Sequence, residues 1–266
     1  MILSSLTLAF PTIDPVITQI GPLAIRWYGL AYVVSILLGW KWMRYLCQHP
    51  PFKGLLTQEQ IDQFLTFAIL SIVIGGRLGY VLFYSPELIW NEPLRIVQTW
   101  TGGMSFHGGF LGMIVASWWF TKKHTLSFWR FTDVLVCVAP IGLFFGRIAN
   151  FINAELYGRT TDVSWGMVFP DAGPLPRHPS QLYEAFLEGI VLFALCNLLI
   201  RTPIFKKELG RISGVFLLAY GISRTVVECV REPDGHLGYF LEILTWGQIL
   251  TVPMIIGGLY LLFRKP

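Results

Sequence analysis

Residues 134–158 read VLVCVAPIGLFFGRIANFINAELYG. The first twelve are apolar, as expected of a membrane-spanning helix, and Arg147, Asn150, Asn153 and Glu155 follow at its end. Charged side chains at membrane depth are costly, so they usually mark a function or a tight ion pair. Residues three apart share one face of a helix, so Arg147 and Asn150 are expected to lie side by side.

Arg147 is open to two interpretations from the residues alone. Its planar fork of donors suits a phosphate group, and the carboxamides of Asn150 and Asn153 can hydrogen-bond beside it. Alternatively, Arg147 only pairs with a carboxylate, such as Glu155, and locks two helices together. The residues themselves leave both interpretations open.

The composition is that of an integral membrane protein. Hydrophobic residues make up 54% of the 266 positions, charged residues only 14%, and the mean hydropathy is +0.57. A soluble domain carries about 25% charged residues. We therefore expect an all-α integral membrane protein, a single multi-pass domain over residues 1–266 with short outward-facing loops and interfacial segments. The four cysteines form no Cys-x-x-Cys motif and indicate buried free thiols rather than a metal site.

A helix needs about 20 mostly apolar residues to cross a membrane. Seven stretches are predicted to do so: 23–43, 62–84, 106–121, 131–151, 182–200, 212–229 and 243–263. The first ten residues lack the basic start of a signal peptide and are expected to lie against the membrane surface.

The distribution of basic residues predicts the orientation, because they favour the cytoplasmic side. The loops on one side of the predicted spans carry twelve of the twenty Lys and Arg residues. The opposite loops carry no lysine and four arginines: Arg95, Arg159, Arg177 and Arg231. We therefore expect the N-terminus outside and the C-terminus in the cytoplasm.

Four arginines lie within the predicted spans or at their edges: Arg26, Arg77, Arg147 and Arg224. Gly75 and Gly79 flank Arg77 with the small-x-x-x-small spacing that lets helices pack closely. The sequence names no partner for Arg77.

Two stripes at helical spacing carry the remaining buried charge. One holds Gln181, Glu184 and Glu188, and the other holds Tyr220, Arg224, Glu228 and Arg231. Buried carboxylates need positive partners, so an ion pair is the leading interpretation of Glu184. Arg224 and Glu228 are four residues apart and are expected to pair directly.

The motif Gly-Arg-x-x-Asn-Phe-x-Asn-x-Glu-x-x-Gly at 146–158 resembles the signature of the phosphatidylglycerol–prolipoprotein diacylglyceryl transferases. Further segments are similar to that family: Arg26-Trp-Tyr-Gly, Gly75-Gly-Arg-x-Gly-Tyr, Gly102-Gly-Met-Ser-Phe-His-Gly-Gly and Arg177-His-Pro-Ser-Gln-Leu-Tyr-Glu. The resemblance covers nearly the whole chain. It implies transfer of a diacylglyceryl group from phosphatidylglycerol to the lipobox cysteine of prolipoproteins, in the inner membrane of a bacterium.

The resemblance also implies roles for individual residues. Arg147 and Arg224 would stabilise the departing phosphate, and either His107 or a water molecule would take the thiol proton. The remaining expected substrate-binding residues are Tyr28, Asn150, Asn153, Glu155, Gly158, Glu184 and Glu228. Tyr28 and Asn150 would orient the head group, while Glu155 and Glu228 would hold the arginines. No cofactor or metal is required, and the expected partners are phosphatidylglycerol, prolipoprotein signal peptides and membrane lipids, with no nucleic acid.

Two other classes of protein fit some of these features. A secondary transporter of an anionic solute would also contain intramembrane arginines, although no internal repeat is visible. An intramembrane protease would need a serine or paired aspartates with a base, and no Gly-x-Ser-x-Gly motif is present. His107 itself is a lone histidine, which is more often structural than catalytic.

Overall fold

The computed structural model describes residues 8–11, 13–21, 23–233, 239–240 and 244–264. The helices of this part of the chain are α1 (Trp27–Gln48), α2 (Gln58–Phe83), α3 (Leu88–Asn91), α4 (Phe106–Lys123), α5 (Phe128–Ile152), α6 (Ser180–Leu199), α7 (Pro203–Lys207), α8 (Arg211–Glu228) and α9 (Trp246–Phe263). Its short strands are β1 (Leu8–Ala9), β2 (Val16–Ile20), β3 (Leu23–Arg26), β4 (Met167–Val168), β5 (Tyr239–Phe240) and β6 (Leu244–Thr245).

The prediction of a mostly helical membrane protein is confirmed. Among the described residues, three helices are long and apolar enough to cross a membrane: Gln58–Phe83, Phe128–Ile152 and Ser180–Leu199. Gly247–Phe263 is a shorter apolar helix. Each of the seven predicted spans lies mainly within one long helix, but the number of spans stays a prediction.

The predicted start of the first span, residue 23, is wrong. β2 and β3 pair as an antiparallel hairpin, and α1 begins only at Trp27. The segment Leu23–Arg26 is apolar enough to read as helix, but its backbone pairs with residues before it. Hydropathy carries no information about such pairing.

The predicted interfacial segment at residues 1–10 lies mostly outside the described residues. Its last part forms β1, which runs parallel to β4. The buried ring of Phe10 packs 5.2 Å from that of Phe151 and 5.1 Å from that of Phe169, measured between ring centroids. These contacts attach the start of the described chain to the last turn of α5 and to the segment that follows it.

The chain folds into two compact units, a larger one of residues 1–42 and 135–266 and a smaller one of residues 43–134. In the smaller unit α2 packs closely on α4. A Cβ atom on Gly75 would lie 2.4 Å from the carbonyl oxygen of Gly108, and one on Gly79 would lie 2.7 Å from its Cα. The predicted packing role of Gly75 and Gly79 is therefore confirmed.

Arg77 finds its partners in the backbone of the same unit. The side chain is buried and donates to the carbonyls of Arg95, Ile96, Gly102 and Gly103. Arg77 thereby fixes the segment between α3 and α4. Carbonyl acceptors leave no signature in a sequence, which is why no partner could be named beforehand.

In the larger unit, α8 packs along α9, and α6 lies against α8. A Cβ on Gly258 would lie 2.7 Å from the backbone nitrogen of Leu218, so α8 and α9 are in close contact. All four cysteines are thiols; Cys47, Cys137 and Cys196 are buried as predicted, whereas Cys229 is exposed.

Candidate active site

Three helices of the larger unit bring charged side chains together. Arg147 lies near the end of α5, Glu184 and Glu188 lie on α6, and Arg224 and Glu228 lie on α8. The arginine–glutamate cluster consists of these five residues and Arg231, which follows α8.

Glu184 is the common partner of the three arginines. Its Oε2 atom lies 3.3 Å from Arg147 Nη1, and its Oε1 atom lies 3.1 Å from Arg231 Nη1. Glu184 also pairs with Arg224. The ion pair predicted for Glu184 is confirmed, with more partners than the sequence indicated.

The other two carboxylates, Glu188 and Glu228, pair with different arginines. Glu188 Oε2 lies 3.3 Å from Arg147 Nη2. Glu228 pairs with Arg224, as its spacing on α8 predicted, and its Oε1 atom lies 3.7 Å from Arg231 Nε. Because Glu228 Oε2 also accepts a 2.7 Å hydrogen bond from Thr245, both of its oxygens have partners.

The side chains of the cluster are largely buried, so their charges must balance one another. The side chains of Glu184 and Glu188 are 0% exposed, while those of Arg147 and Arg224 are 17% and 15% exposed. The three positive and three negative charges balance, which buried groups require. Arg147 and Arg224 therefore form the most accessible part of the cluster, whereas Arg231 and the carboxylates are more deeply buried.

A π-helical turn, Ala185–Val191, interrupts α6 directly after Glu184 and contains Glu188. At Gly189 this turn touches α5, because a Cβ there would lie 2.6 Å from Cβ of Phe144. The contact is one residue from Glu188 and three from Arg147. Such turns occur frequently at functional sites, and this one lies where α6 meets α5.

The turn after α5 gives Glu155 a different partner from the one considered in the sequence. Asn150 Nδ2 donates to Glu155 Oε1 at 2.7 Å, while the described carboxylate partners of Arg147 are Glu184 and Glu188. Glu155 thus fixes the buried carboxamide of Asn150. The expectation that Glu155 holds an arginine in place stays a prediction.

The turn after α5 has a strained backbone, and two side chains of α6 hold it in place. Ala154 and Leu156 adopt φ angles of 54° and 60°, in the left-handed region that residues with a side chain rarely occupy. Gln181 Nε2 donates to the carbonyl of Glu155 at 2.7 Å, and Ser180 Oγ donates to that of Leu156 at 3.0 Å. Strain of this kind is typical of functional sites.

Asn153 and Gly158 occupy different surroundings within the same segment. The Oδ1 atom of Asn153 is buried and has no hydrogen-bond partner among the described residues. A Cβ on Gly158 would lie 2.5 Å from the carbonyl oxygen of Val230 and 2.7 Å from Cβ of His178. Close packing thus explains why a residue without a side chain is needed at position 158. The predicted contact of Gly158 with the substrate stays a prediction.

Two further predicted site residues, Tyr28 and His107, lie in the first turns of α1 and α4. Tyr28, in the first turn of α1, accepts a 3.3 Å hydrogen bond from the hydroxyl of Tyr32, which interacts electrostatically with Glu155. His107 is exposed in the first turn of α4, which the side chain of Ser105 caps, and belongs to the smaller unit. Their roles in catalysis and head-group binding stay predictions.

His178, which lies outside the predicted spans, belongs to a hydrogen-bonded chain that includes Tyr183 of α6. Trp165 Nε1 donates to the hydroxyl of Tyr183 at 2.7 Å, which leaves that hydroxyl to donate to His178 Nδ1 at 3.2 Å. Burial lowers the pKa of His178 below its usual value, so the ring is neutral at pH 7. The backbone of His178 in turn accepts a 2.8 Å hydrogen bond from Gly158, which connects this chain to the turn after α5.

Four further residues belong to the site beyond those predicted to bind or react. Glu188 and Arg231 take part in the ion pairs, Gln181 holds the turn, and Tyr220 interacts electrostatically with Glu188 and Arg147. The helical spacing of both stripes was the signal for them. Spacing alone could not show which faces of α6 and α8 meet.

Comparison with known proteins assigns the chain to a family. The sequence profile of the prolipoprotein diacylglyceryl transferases matches residues 15–264. The chain belongs to the prolipoprotein diacylglyceryl transferase family. Phosphatidylglycerol–prolipoprotein diacylglyceryl transferase of Paramagnetospirillum magneticum is 51% identical over 256 residues, 96% of this chain and 94% of that protein. The protein of the same name from Rickettsia felis is 50% identical over 260 residues, 97% of this chain and 99% of that protein.

The resemblance expected from the motif at 146–158 is thereby confirmed over nearly the full length. Membership of the prolipoprotein diacylglyceryl transferase family gives no support to the transporter alternative. The relatives are bacterial proteins. In this family member, the signature at 146–158 contributes Arg147 to the cluster and forms the strained turn beside it.

Proposed function

We propose that this chain transfers the diacylglyceryl group of phosphatidylglycerol to the thiol of the lipobox cysteine of a prolipoprotein. The products are a thioether-linked lipoprotein precursor and glycerol 1-phosphate. The reaction is the first step of lipoprotein maturation, and the relatives carry the corresponding name.

The observation that carries this proposal is the meeting of Arg147 and Arg224 on Glu184. Two guanidinium groups from separate helices are held within contact of one buried carboxylate, and both remain partly exposed. Arginines grip phosphate oxygens bidentately and stay charged when partly dehydrated. This arrangement suits a site that must stabilise a phosphate near lipid.

The proposed chemistry is an alkyl displacement. The thiol sulfur attacks the glycerol carbon that carries the phosphate, the carbon–sulfur bond forms and the carbon–oxygen bond breaks. The electron pair of that bond leaves with the phosphate, where Arg147 and Arg224 stabilise the growing negative charge. The thiol proton passes to a base, and no metal or redox cofactor takes part.

The base is proposed to be His107 or a water molecule. A thiol has a pKa of about 8.5, so at neutral pH most of it must lose its proton during the reaction. A neutral imidazole is suited to accept that proton.

The other proposed substrate-binding residues act on the head group or on the arginines. Tyr28 and Asn150 orient the head group, and Asn153 offers its buried amide oxygen in the same segment. Glu184 and Glu228 orient the two arginines. Gly158 keeps the backbone after the turn in close contact with the chain near Val230, which preserves the position of Asn150 and Glu155.

We further propose a single multi-pass domain in the bacterial inner membrane with seven spans. The N-terminus and the loops near 85–105, 152–181 and 230–242 face outwards, and the C-terminus is cytoplasmic. This orientation rests on the distribution of basic residues. Both substrates, phosphatidylglycerol and the prolipoprotein signal peptide, would then enter sideways from the membrane.

The test uses the purified full chain in phosphatidylglycerol vesicles with a synthetic lipobox peptide. We expect the peptide mass to increase by one diacylglyceryl group, with glycerol phosphate released in equal amount. A peptide with serine in place of cysteine serves as control and should stay unmodified. Uptake of anionic solutes without peptide modification would contradict the proposal.

A further inference from the structure

Helix α6 carries buried acceptors that no described donor satisfies. Gln181 Oε1, Glu184 Oε2 and Glu188 Oε1 have no hydrogen-bond partner among the described residues, although all three side chains are fully buried. Buried polar atoms are rarely left in this state, so each calls for an explanation. A ligand that brings hydrogen-bond donors would supply one.

Glu188 differs from the other carboxylates of the cluster in having an oxygen with neither a hydrogen bond nor an ion pair. Glu184 Oε2 also accepts no hydrogen bond, but it lies in ion-pair contact with Arg147, and Glu184 Oε1 is paired with Arg224 and Arg231. Both oxygens of Glu228 are occupied by Arg224 and Thr245. Only Glu188, among these described carboxylates, has one oxygen in an ion pair and the other without a partner.

The position of Glu188 connects this free acceptor with the arginine proposed to bind the lipid phosphate. Glu188 Oε2 lies 3.3 Å from Arg147 Nη2, and the Arg147 side chain is 17% exposed. A phosphodiester has acceptors only, so it can satisfy Arg147 but cannot satisfy Glu188 Oε1. A hydroxyl group carried next to that phosphate can.

We propose that Glu188 is a specificity-determining residue that accepts a hydrogen bond from a hydroxyl of the glycerol head group while the phosphate of the same lipid binds Arg147. This inference rests on the proposed function. The first hydroxyl of the head group is carried on the carbon next to the esterified one, so it lies near the phosphate. The ligand matched by this pair of residues is an anionic phosphodiester with a polyol head group.

The π-helical turn supports this assignment. Glu188 lies in the middle of Ala185–Val191, where the backbone packs against Phe144 of α5. Tyr220 of α8 also interacts electrostatically with Glu188. The carboxylate is therefore enclosed by three helices, which restricts the positions that a bound hydroxyl can take.

The test compares two lipids that differ only in hydroxyl groups. Phosphatidylpropanol keeps the phosphodiester, its charge and the three-carbon head group of phosphatidylglycerol, but has no hydroxyl. The ratio of kcat/KM for phosphatidylglycerol to that for phosphatidylpropanol is measured in mixed micelles of the full chain. We expect a ratio of about 10 to 150 for the wild type, the range that one hydrogen bond to a charged group supplies.

Glu188→Met removes the acceptor, and we expect the ratio to fall by about tenfold or more, with any remaining preference due to Tyr28 and Asn150. Glu188→Gln keeps the shape but replaces a charged acceptor by a neutral one, so a fall of roughly three- to tenfold is expected. Glu228→Gln is the matched control, because it removes one carboxylate charge from the same cluster. It should lower kcat/KM for both lipids by the same factor and leave the ratio unchanged.

The possible outcomes test the role of Glu188 separately from the proposed transferase reaction. A wild-type ratio near one, with peptide modified from both lipids, would overturn the role of Glu188 and leave the transferase reaction standing. A ratio that persists in Glu188→Gln and Glu188→Met would also overturn it, and Glu188→Gln suffices where Glu188→Met does not fold. If the wild type modifies no peptide from either lipid, the proposed function itself fails.

Discussion

Glu184 Oε2 lies 3.3 Å from Arg147 Nη1, although the two residues belong to different helices, and the same carboxylate also contacts Arg224 and Arg231. One buried side chain thus determines the position of three arginines. Loss of this carboxylate would leave three arginines to share Glu188 and Glu228, so one buried positive charge would be unbalanced, whereas loss of one arginine would leave Glu184 with two others.

Glu184→Gln is therefore expected to destabilise the fold. Removing one partner of a buried ion pair costs about 3–5 kcal/mol because the other charge stays buried. Thermal unfolding in detergent measures the effect. Glu232→Gln is the control, since Glu232 is 48% exposed in its pair with Arg177 and such pairs contribute about 0–1 kcal/mol. Equal unfolding midpoints for the two variants would contradict the central position of Glu184.

Arg147→Lys is expected to retain the fold and lose most of the activity. Lysine keeps the charge but loses the planar fork. Loss of one or two charge-assisted hydrogen bonds predicts a fall in turnover of roughly 10- to 1,000-fold. Arg95→Lys, which changes an exposed pair with Glu92, is the control and should keep wild-type turnover. Full activity of a folded Arg147→Lys would show that the fork is not needed.

Two neighbouring glycines of α4 provide a matched test of its packing on α2. A Cβ on Gly108 would lie 2.2 Å from the carbonyl oxygen of Gly75, whereas the nearest atom to a Cβ on Gly109 is 3.5 Å away. Gly108→Ala is expected to cost about 1–3 kcal/mol through overpacking. Gly109→Ala should be neutral or stabilise the helix by up to about 1 kcal/mol. Equal unfolding free energies would exclude the close approach.

The parts of the fold that depend on local spacing could be predicted from the sequence. Gly75 and Gly79 indicated a close helix contact because their four-residue spacing places both on one face, and Arg224 with Glu228 indicated an ion pair for the same reason. The hairpin of β2 and β3, after which α1 begins at Trp27, could not be predicted. Strand pairing depends on residues elsewhere in the chain.

The partners of the site arginines could not be predicted from the sequence either. Glu155 was considered as the partner of Arg147 because the two residues are close in sequence. In the structure, Arg147 pairs with two carboxylates of α6. Which helices meet is not encoded in the spacing within any one of them. The π-helical turn around Glu188 was equally invisible, because its residues fit an ordinary helix as well.

His107 is expected to assist removal of the thiol proton. If so, His107→Asn should lose rate most strongly at low pH and recover much of it near pH 8.5, about the thiol's own pKa, where the thiolate forms without help. The pH–rate profile of peptide modification measures this. His49→Asn, at another exposed histidine, is the control and should leave the profile unchanged. A His107→Asn profile parallel to that of the wild type would assign the proton to water.

The proposed orientation predicts the accessibility of two engineered cysteines. A membrane-impermeant thiol reagent added from outside should label Asp162→Cys but not Glu208→Cys. The background for both is Cys229→Ser, because the native Cys229 is exposed. Labelling of Glu208→Cys alone would reverse the orientation.

The most direct test of the central claim follows the oxygen between the diacylglyceryl carbon and phosphorus. Phosphatidylglycerol carrying ¹⁸O at this position is incubated with the full chain and a lipobox peptide. Because the carbon–oxygen bond should break, we predict that the label is recovered entirely in glycerol phosphate, beside a peptide that has gained one diacylglyceryl group through sulfur. Recovery of ¹⁸O in diacylglycerol, or an unmodified peptide, would contradict displacement at carbon.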